Sequence, residues 1–225
     1  MGRGIHGASR CDLIIEGEVP PNTREAEGPF GEFTRYFGPQ RYSNLINVTA
    51  ITHRRNAIYE DAFVGHPENW NMGSFTKEGS IYQRIKAVLP TVKGLHFTNS
   101  GCGRFNCYIS IDQVFEGMGR QAALIAMGDM DLVKNVIVVD GDVDPYNEEE
   151  VMWAVGTRMQ PAEDIDIIKN IKGGNLDPST PGDLLSSKMI IDATKPVGRP
   201  FEERLSIPEE AMDRVRSLLE NKGLI

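Results

Sequence analysis

Short apolar runs alternate with segments of helical periodicity from about residue 45 to residue 195. The clearest run is VKNVIVVD at 133–140, which is nearly all apolar and therefore typical of a strand covered on both faces. Similar runs predict strands at 92–98, 105–111 and 187–194. Because strands and helices alternate in this way in layered α/β proteins, we expect an α/β domain over this part of the chain.

Three segments between these strands show helical spacing. Apolar residues including Ile81 and Ile85 predict a helix over 76–89, which Pro90 ends. The segment 112–128 predicts a second helix, with Asp112 as its N-terminal cap, and 147–158 predicts a third. The glutamates at the start of the third helix suit the positive end of the helix dipole.

The end of the chain has the pattern of an amphipathic helix over 206–223. Ser206 and Glu209 have the spacing of a capping box, and Gly223 is suited to the helix stop. The apolar stripe of this helix is either core or an oligomer contact.

The first 40 residues differ from the rest and resemble a fragment of an all-β unit. The run DLIIEGE at 12–18 predicts a strand, and INVTAITHRR at 46–55 predicts another that carries His53 and Arg54 at its end. Between them, residues 20–33 contain three prolines among charged residues. That composition excludes a continuous helix or an uninterrupted central strand and predicts a shaped loop.

The composition narrows the class of protein. The formal net charge is -8 and no run of Lys or Arg is dense enough to follow a phosphate backbone, so nucleic acid is not an expected partner. No apolar stretch approaches the roughly 20 residues needed to cross a bilayer, and the N-terminus lacks the apolar core of a secretory signal. We therefore expect a cytoplasmic protein with no membrane contact. The three cysteines are too few and odd in number for a disulfide framework, so free thiols are expected.

Two carboxylates stand five residues apart in the segment EGPFGE, at Glu27 and Glu32. A regular strand would place them on opposite faces, because the separation is odd. A turn or bulge at Gly28-Pro29 or at Gly31 would bring both toward one pocket. A desolvated pair has its pKa values pushed apart, so that one acid can donate a proton while the other stays ionised. From the residues alone, ordinary loop carboxylates on a wet surface remain the alternative.

Two other clusters are weaker candidates for metal sites. Asp140, Asp142 and Asp144 begin like a calcium loop, but Pro145 replaces the glycine of that loop and Val151 replaces its bidentate glutamate. Cys102, Cys107 and His96 have no second ligand pair downstream to complete a tetrahedral zinc site. We expect neither cluster to bind a metal.

The segments EGPFGEFTRYFG and VTAITHRRNAIYED together closely resemble the signature of the UbiD-type (3-octaprenyl-4-hydroxybenzoate carboxy-lyase-like) decarboxylases. Further matches follow in order at LPTVKGLHF, VIVVDGDVDPYNEEEVMWAVGTRMQP, SKMIIDATKP and the closing helix. The resemblance covers residues from about 11 to 222. It is to the C-terminal half of the family only, because a typical member is much longer than this chain.

The resemblance implies a domain organisation. Residues 1–45 would be the C-terminal part of a cofactor-binding split β-barrel of the flavin-reductase type. Residues 46–200 would form the α/β C-terminal domain, and residues 201–225 a terminal helix that makes an oligomer contact.

The resemblance also implies a reaction. Members of the family reversibly decarboxylate aromatic or α,β-unsaturated acids with prenylated FMN, and they hold a divalent metal (Mn or Mg) and potassium at the cofactor phosphate. A Glu-Arg-Glu network acts in these enzymes, and its glutamates map onto Glu27 and Glu32. Glu32 would supply the proton and Glu27 would hold the network arginine. His53 and Arg54 are secondary candidates for pocket residues.

The resemblance leaves part of the site unaccounted for. In the family, the N-terminal half carries the network arginine and most ligands for the metal and the cofactor phosphate, and this half has no counterpart here. The arginines that lie near the glutamates do not match the arginine motif; they are Arg24, Arg35, Arg54 and Arg55. Three explanations stay open. A second polypeptide carries the N-terminal half, the reading frame is truncated, or the chain is a non-catalytic assembly subunit that binds no flavin.

Overall fold

A computed structural model of the protein describes residues 11–129, 132–182 and 184–224. The chain divides into two compact units, Met1–Thr194 and Lys195–Ile225. The strands of the first unit are β1 (Leu13–Glu18), β2 (Arg24–Glu27), β3 (Arg41–Asn44), β4 (Asn47–His53), β5 (Val92–Phe97), β6 (Asn106–Ile111), β7 (Asn135–Asp140), β8 (Ile165–Lys172) and β9 (Leu185–Ala193). Its helices are α1 (Pro67–Val88), α2 (Met118–Asp129), α3 (Glu148–Arg158) and the single turn α4 (Pro161–Asp164), with a 3-10 turn at Asn99–Gly101. The second unit contains α5 (Glu209–Asn221).

The centre of the first unit is a five-stranded mixed sheet in the order β5-β6-β7-β9-β8. Strands β6, β7 and β9 run parallel, while β5 and β8 pair antiparallel at the two edges. Residues 136–139 of β7 are all buried, as the apolar run predicts for a central strand. The predicted α/β domain is therefore confirmed.

Both faces of this sheet are packed. On one face, Ile109 and Val138 contact the core that Ile81 and Ile85 of α1 and Ala122 of α2 complete. On the other face, neighbouring strand residues join a second cluster with α3, whose members are Tyr108, Ile137, Val139, Val143, Val151, Ala154 and Ala193. Because successive strand residues point to opposite faces, each central strand contributes to both clusters.

The N-terminal strands form two separate two-stranded antiparallel sheets, β1-β4 and β2-β3. Strand β4 pairs with β1 along its whole length, so residues 47–53 group with the first strand although the sequence boundary at 45/46 separates them. Strands β2 and β3 also lie in the segment for which the sequence predicts a loop or gives no strand signal. The domain boundaries and the flavin-reductase type of barrel stay predictions.

Three helix starts differ from the sequence prediction. Helix α1 begins at Pro67, nine residues before the predicted start, because proline is favoured at the first helical position. Helix α2 begins at Met118, and Asp112 is not its cap, since the Asp112 carboxylate binds Lys93 Nζ at 2.8 Å. Helix α5 begins at Glu209 after Pro208 and has no side-chain cap, so the capping box at Ser206 is wrong.

Other local predictions fare better, with one omission. Helix α3, predicted over 147–158, spans Glu148–Arg158, and Gly223 has the positive φ of 64° expected at a helix stop. Asn147, which was not predicted as a cap, caps α3 through its side-chain oxygen. The omission is β8, an edge strand whose sequence IDIIKNIK is interrupted by a left-handed residue at Asn170. Its mixed polar pattern does not alternate as a half-buried strand does, so periodicity did not predict it.

Among the described residues, no helix is both long enough and apolar enough to span a membrane.

The packing of the central sheet gives a stability prediction. Ile109 is fully buried in β6, whereas Ile167 in β8 is 60% exposed. We expect Ile109→Ala to lower the free energy of unfolding by about 2–5 kcal/mol, because it removes a buried side chain and leaves a cavity. The matched control Ile167→Ala is expected to change it by less than about 1 kcal/mol. Urea unfolding measures both, and equal losses would contradict the assigned core.

Candidate active site

Glu27 is the last residue of β2, and its position follows from the β2-β3 pairing. Arg41 stands directly opposite Glu27 in the ladder. Ser43, two residues further along β3, donates a hydrogen bond from Oγ to Glu27 Oε2 at 2.5 Å. Residues two apart on a strand share a face, so the hydroxyl and the carboxylate meet on the same side of this small sheet.

The chain turns back on itself between Glu27 and Gly38, and Gly31 and Phe37 form an antiparallel bridge there. Gly28 has a positive φ of 80° and is followed by a cis peptide bond to Pro29. The amide of Glu32 donates to the carbonyl of Tyr36 at 2.9 Å, and the amide of Gly38 donates to the carbonyl of Phe30 at 2.9 Å. We call residues 28–38 the glutamate loop, because this folding controls where Glu32 lies.

The glutamate loop brings the two carboxylates to one place. Glu27 and Glu32 both line a small cleft of about 50 Å³, together with Phe30, Gly38 and Arg41. A Cβ atom at Gly38 would lie 3.0 Å from Cγ of Glu32, so glycine at this position leaves room for the glutamate. Glu32 is half-buried, whereas Glu27 is exposed in this chain.

Glu32 also lines a larger cavity of about 550 Å³. The walls of this cavity are mainly aromatic and aliphatic, with a few polar groups, and the lining residues are Gly31, Glu32, Arg35, Tyr36, Phe37, Asp61, Ala62, Phe63, Val64, Gly65 and His66. A concave, mostly apolar cavity with few polar groups is the usual form of a small-molecule site. Its rings offer surfaces on which a flat aromatic group can pack.

The glutamate loop is attached to helix α1 by buried contacts. Phe33 and Trp70 are each 6% exposed, and Trp70 Nε1 donates to the carbonyl of Phe33 at 2.7 Å. Arg35 donates from Nε to the carbonyl of Gly65 at 2.7 Å, and its guanidinium lies 4.6 Å from the centre of the Trp70 ring. These contacts hold the backbone on both sides of Glu32.

The arginine nearest the carboxylate pair was missed by the sequence analysis. Arg41 lines the small cleft with both glutamates, and Nη2 donates to the carbonyl of Asn175 at 3.4 Å. Only the pairing of residues 24–27 with 41–44 could have revealed it. The prolines at 20–33 led to the prediction of a loop, so no strand pairing was expected there.

The secondary pocket candidates lie elsewhere. His53 is exposed and its Nδ1 lies 2.8 Å from the carbonyl oxygen of Arg54. The Arg54 guanidinium forms a loose ion pair with Asp12 at 3.6 Å. Neither side chain lines the small cleft or the larger cavity.

The weaker candidates for metal sites have other partners. Asp140 and Asp142 bind the buried guanidinium of Arg158, with the Asp142 contacts at 2.8 Å. His96 Nδ1 lies 3.0 Å from Glu78 Oε1. Burial and the charge of Glu78 raise the pKa of the Cys107 thiol, which favours the protonated form over a metal-binding thiolate. Within the described ranges, no group of three or more His, Cys, Asp or Glu side chains could hold a metal ion.

The larger cavity has walls that fit one part of a flavin. Its rings suit the flat ring system of a flavin or of an aromatic acid. A metal at the cofactor phosphate needs oxygen or nitrogen ligands, and the described residues do not group them.

The attachment of the glutamate loop gives a second prediction. Trp70→Phe leaves the Phe33 carbonyl without its donor, so we expect a loss of about 1–3 kcal/mol in stability. Hydrogen exchange should become faster at the amides of Glu32 and Gly38. The control Trp153→Phe changes the second tryptophan, outside the loop, and should leave these amides unchanged. Unchanged exchange in Trp70→Phe would show that the indole does not hold the loop.

Two family models match the chain. The 3-octaprenyl-4-hydroxybenzoate carboxy-lyase Rift-related domain matches residues 4–67, and the C-terminal domain of the same carboxy-lyase matches residues 70–193. The second match alone covers more than half of the chain. The boundary between the two models falls at the start of α1.

Curated and solved relatives agree with these models. A phenolic acid decarboxylase of Sedimentibacter hydroxybenzoicus is 35% identical over 94% of this chain and 46% of its own length. The UbiD-class enzyme HmfF of Pelotomaculum thermopropionicum, solved with FMN, is 39% identical with a TM-score of 0.85, over 92% of this chain and 46% of that one. An evolved dimeric form of HmfF, solved with prFMN, has a TM-score of 0.77 and is 38% identical over 89% of this chain and 43% of that one.

The chain spans about half the length of the curated relatives it matches. Both family models, and the fold shared with HmfF, point to the same assignment. The protein belongs to the UbiD family, that of the 3-octaprenyl-4-hydroxybenzoate carboxy-lyases.

Proposed function

We propose that this chain is the proton-donating component of a non-oxidative, reversible decarboxylase of aromatic or α,β-unsaturated carboxylic acids. One observation carries the proposal. Glu32 lines both an acidic cleft, which it shares with Glu27, and an aromatic cavity large enough for a small organic acid. The relatives are phenolic acid and anhydromevalonate phosphate decarboxylases, which supports the same reaction class.

The reaction needs an electron sink and a proton donor, which the cofactor and the protein would supply respectively. Loss of CO2 breaks a carbon–carbon bond and leaves an electron pair on the carbon, which then takes up a proton. Prenylated FMN, when bound, supplies an electron sink for that pair. A protonated Glu32 delivers the proton to the carbon, and its carboxylate takes the proton back in the carboxylation direction.

Glu27 has a different role in the proposal. Its carboxylate accepts hydrogen bonds, as it does from Ser43 Oγ. A carboxylate held in this way orients a guanidinium by a charge-assisted bond, and the guanidinium in turn orients Glu32.

We infer that a second polypeptide supplies the rest of the active site. A solved relative, the vanillic acid decarboxylase ShVdcCD of Sedimentibacter hydroxybenzoicus, includes a second component, ShVdcD, which supports a partner for this chain. The network arginine, the Mn or Mg ligands, the potassium ligands and the phosphate contacts would come from that partner. His53 and Arg54 remain candidates for contacts with the partner or the cofactor, because both are exposed at the end of β4.

The terminal helix is proposed to join copies of the chain. The apolar residues Val215 and Leu218 of this helix are exposed, and so is Ile207 just before it. An exposed apolar stripe on an amphipathic helix marks an interaction surface. We further propose that the protein acts in the cytoplasm.

The central test is Glu32→Gln in the enzyme assembled with its partner and prenylated FMN. Release of CO2 from a panel of aromatic and unsaturated acids should fall by about 100-fold or more, because the amide cannot donate the proton. The flavin absorbance spectrum and the melting temperature should be unchanged. Glu18→Gln is the matched control, since Glu18 is an exposed glutamate that lines neither cavity.

The outcomes separate the proposal from its alternatives. Full turnover in Glu32→Gln would remove Glu32 from proton transfer. A wild-type assembly that binds no flavin and releases no CO2 would instead identify the chain as a non-catalytic assembly subunit.

A further inference from the structure

Arg35 in the glutamate loop has a left-handed backbone conformation, with a φ of 65°. Residues other than glycine are uncommon in this region, and such strain is kept where the surrounding structure holds it, frequently at ligand sites. The amide of Arg35 donates to the carbonyl of Glu32 at 2.9 Å and closes a turn. The turn places Arg35 in the wall of the larger cavity, which Glu32 also lines.

The Arg35 guanidinium is held in one orientation by two contacts. Its Nε donates to the carbonyl of Gly65 at 2.7 Å, and its Cζ lies 4.6 Å from the centre of the Trp70 ring. Gly65 leaves room for this arrangement, because a Cβ atom there would lie 2.8 Å from Cγ of Arg35. The guanidinium is therefore positioned before a ligand arrives, which lowers the entropy cost of binding.

The two terminal nitrogens of Arg35 are not used by these contacts. Within the described ranges, no hydrogen bond or ion pair joins Nη1 or Nη2 to an acceptor of the protein. Glu32 and Asp61 line the same cavity, but neither of these described carboxylates forms an ion pair with Arg35. A fixed guanidinium with both terminal nitrogens free suits a planar carboxylate, which accepts two parallel hydrogen bonds.

Two other arginines near the glutamate loop are placed differently. Arg41 lines the small cleft with Glu27 and Glu32, where carboxylates of the protein already supply negative charge. The guanidinium of Arg104 lies 4.8 Å from the centre of the Phe33 ring, and its Nη1 is buried. Neither arginine lines the larger cavity, so Arg35 is the guanidinium that a ligand there would meet.

We propose that Arg35 binds the carboxylate of an aromatic acid in the larger cavity, with Nη1 and Nη2 each donating to one carboxylate oxygen. The rings of Tyr36, Phe37 and Phe63 would pack on the body of the same molecule. The inference deepens the proposed function, on which its ligand class rests, because it names the residue of this chain that recognises the acid. The bound carboxylate is either the one that leaves as CO2 or a second one on the ring.

The test compares two ligands of the same shape, benzoate and its neutral amide benzamide, by titration calorimetry on the full-length chain. Wild type should bind benzoate about 10-fold more tightly or better, because a charge-assisted pair is stronger than neutral hydrogen bonds. In Arg35→Gln this preference should fall to about one. The control Arg55→Gln removes an exposed arginine outside the cavity and should keep the preference.

The ratio of the two affinities separates recognition from folding. A disturbed glutamate loop would weaken both ligands together, and hydrogen exchange at the Glu32 amide reports such a disturbance directly. Arg35→Lys keeps the charge but not the planar fork, so its preference should lie between those of wild type and Arg35→Gln. A preference equal to that of wild type in Arg35→Lys would contradict the paired hydrogen bonds.

Paired monocarboxylic and dicarboxylic aromatic acids show which carboxylate Arg35 holds. An equal loss of CO2 release from both acids in Arg35→Gln, in the assembled enzyme, assigns Arg35 to the carboxylate that leaves. A loss confined to the diacid assigns it to the second carboxylate. Binding is measured without turnover, so a preference for benzoate in an assembly that releases no CO2 would contradict the proposed function and leave this inference standing.

Three results would overturn the inference. The first is an unchanged preference for benzoate in Arg35→Gln. The second is no binding of benzoate by wild type at millimolar concentrations. The third is tighter binding of inorganic phosphate than of benzoate through Arg35, which would make this a phosphate site.

Discussion

The hydrogen bond from Trp70 Nε1 to the carbonyl of Phe33 joins helix α1 to the glutamate loop. Trp70 belongs to α1, which packs on the central sheet, and Phe33 follows Glu32 directly in the glutamate loop. Both side chains are buried. The contact therefore holds the backbone next to Glu32 against the stable α/β domain. The stacking of Arg35 on the same indole adds a second attachment point. The acidic cleft and the aromatic cavity meet at Glu32 as a result.

The sequence predicted the parts of the fold that follow from local pattern. The all-apolar run of β7 and the glycine stop at Gly223 are strong signals, since burial on both faces and helix termination leave direct traces in residue type. The β2-β3 pairing and strand β8 left no such trace. These strands are short or polar, and they form because they pair with strands that are distant in sequence. Such pairing does not appear in the periodicity of the sequence. The carboxylate pair could be located but not its neighbour Arg41, for the same reason.

The structure is also uneven in how it buries apolar residues. The central sheet is covered on both sides, while the N-terminal strands expose aliphatic and aromatic side chains over most of their length. The buried core of the described residues therefore belongs mainly to the central sheet and its helices. Glu27, exposed at the edge of the small cleft, lies in the N-terminal part, where most large apolar side chains are exposed.

The central claim is that the completed site returns an exchangeable proton to the carbon that loses CO2. Its most direct measurement is the mass of the product formed in D2O by the chain assembled with its partner and prenylated FMN. The account predicts one deuterium per product molecule, located at the carbon that carried the carboxylate. A product without deuterium at that carbon, or no product from a flavin-loaded assembly, would contradict it.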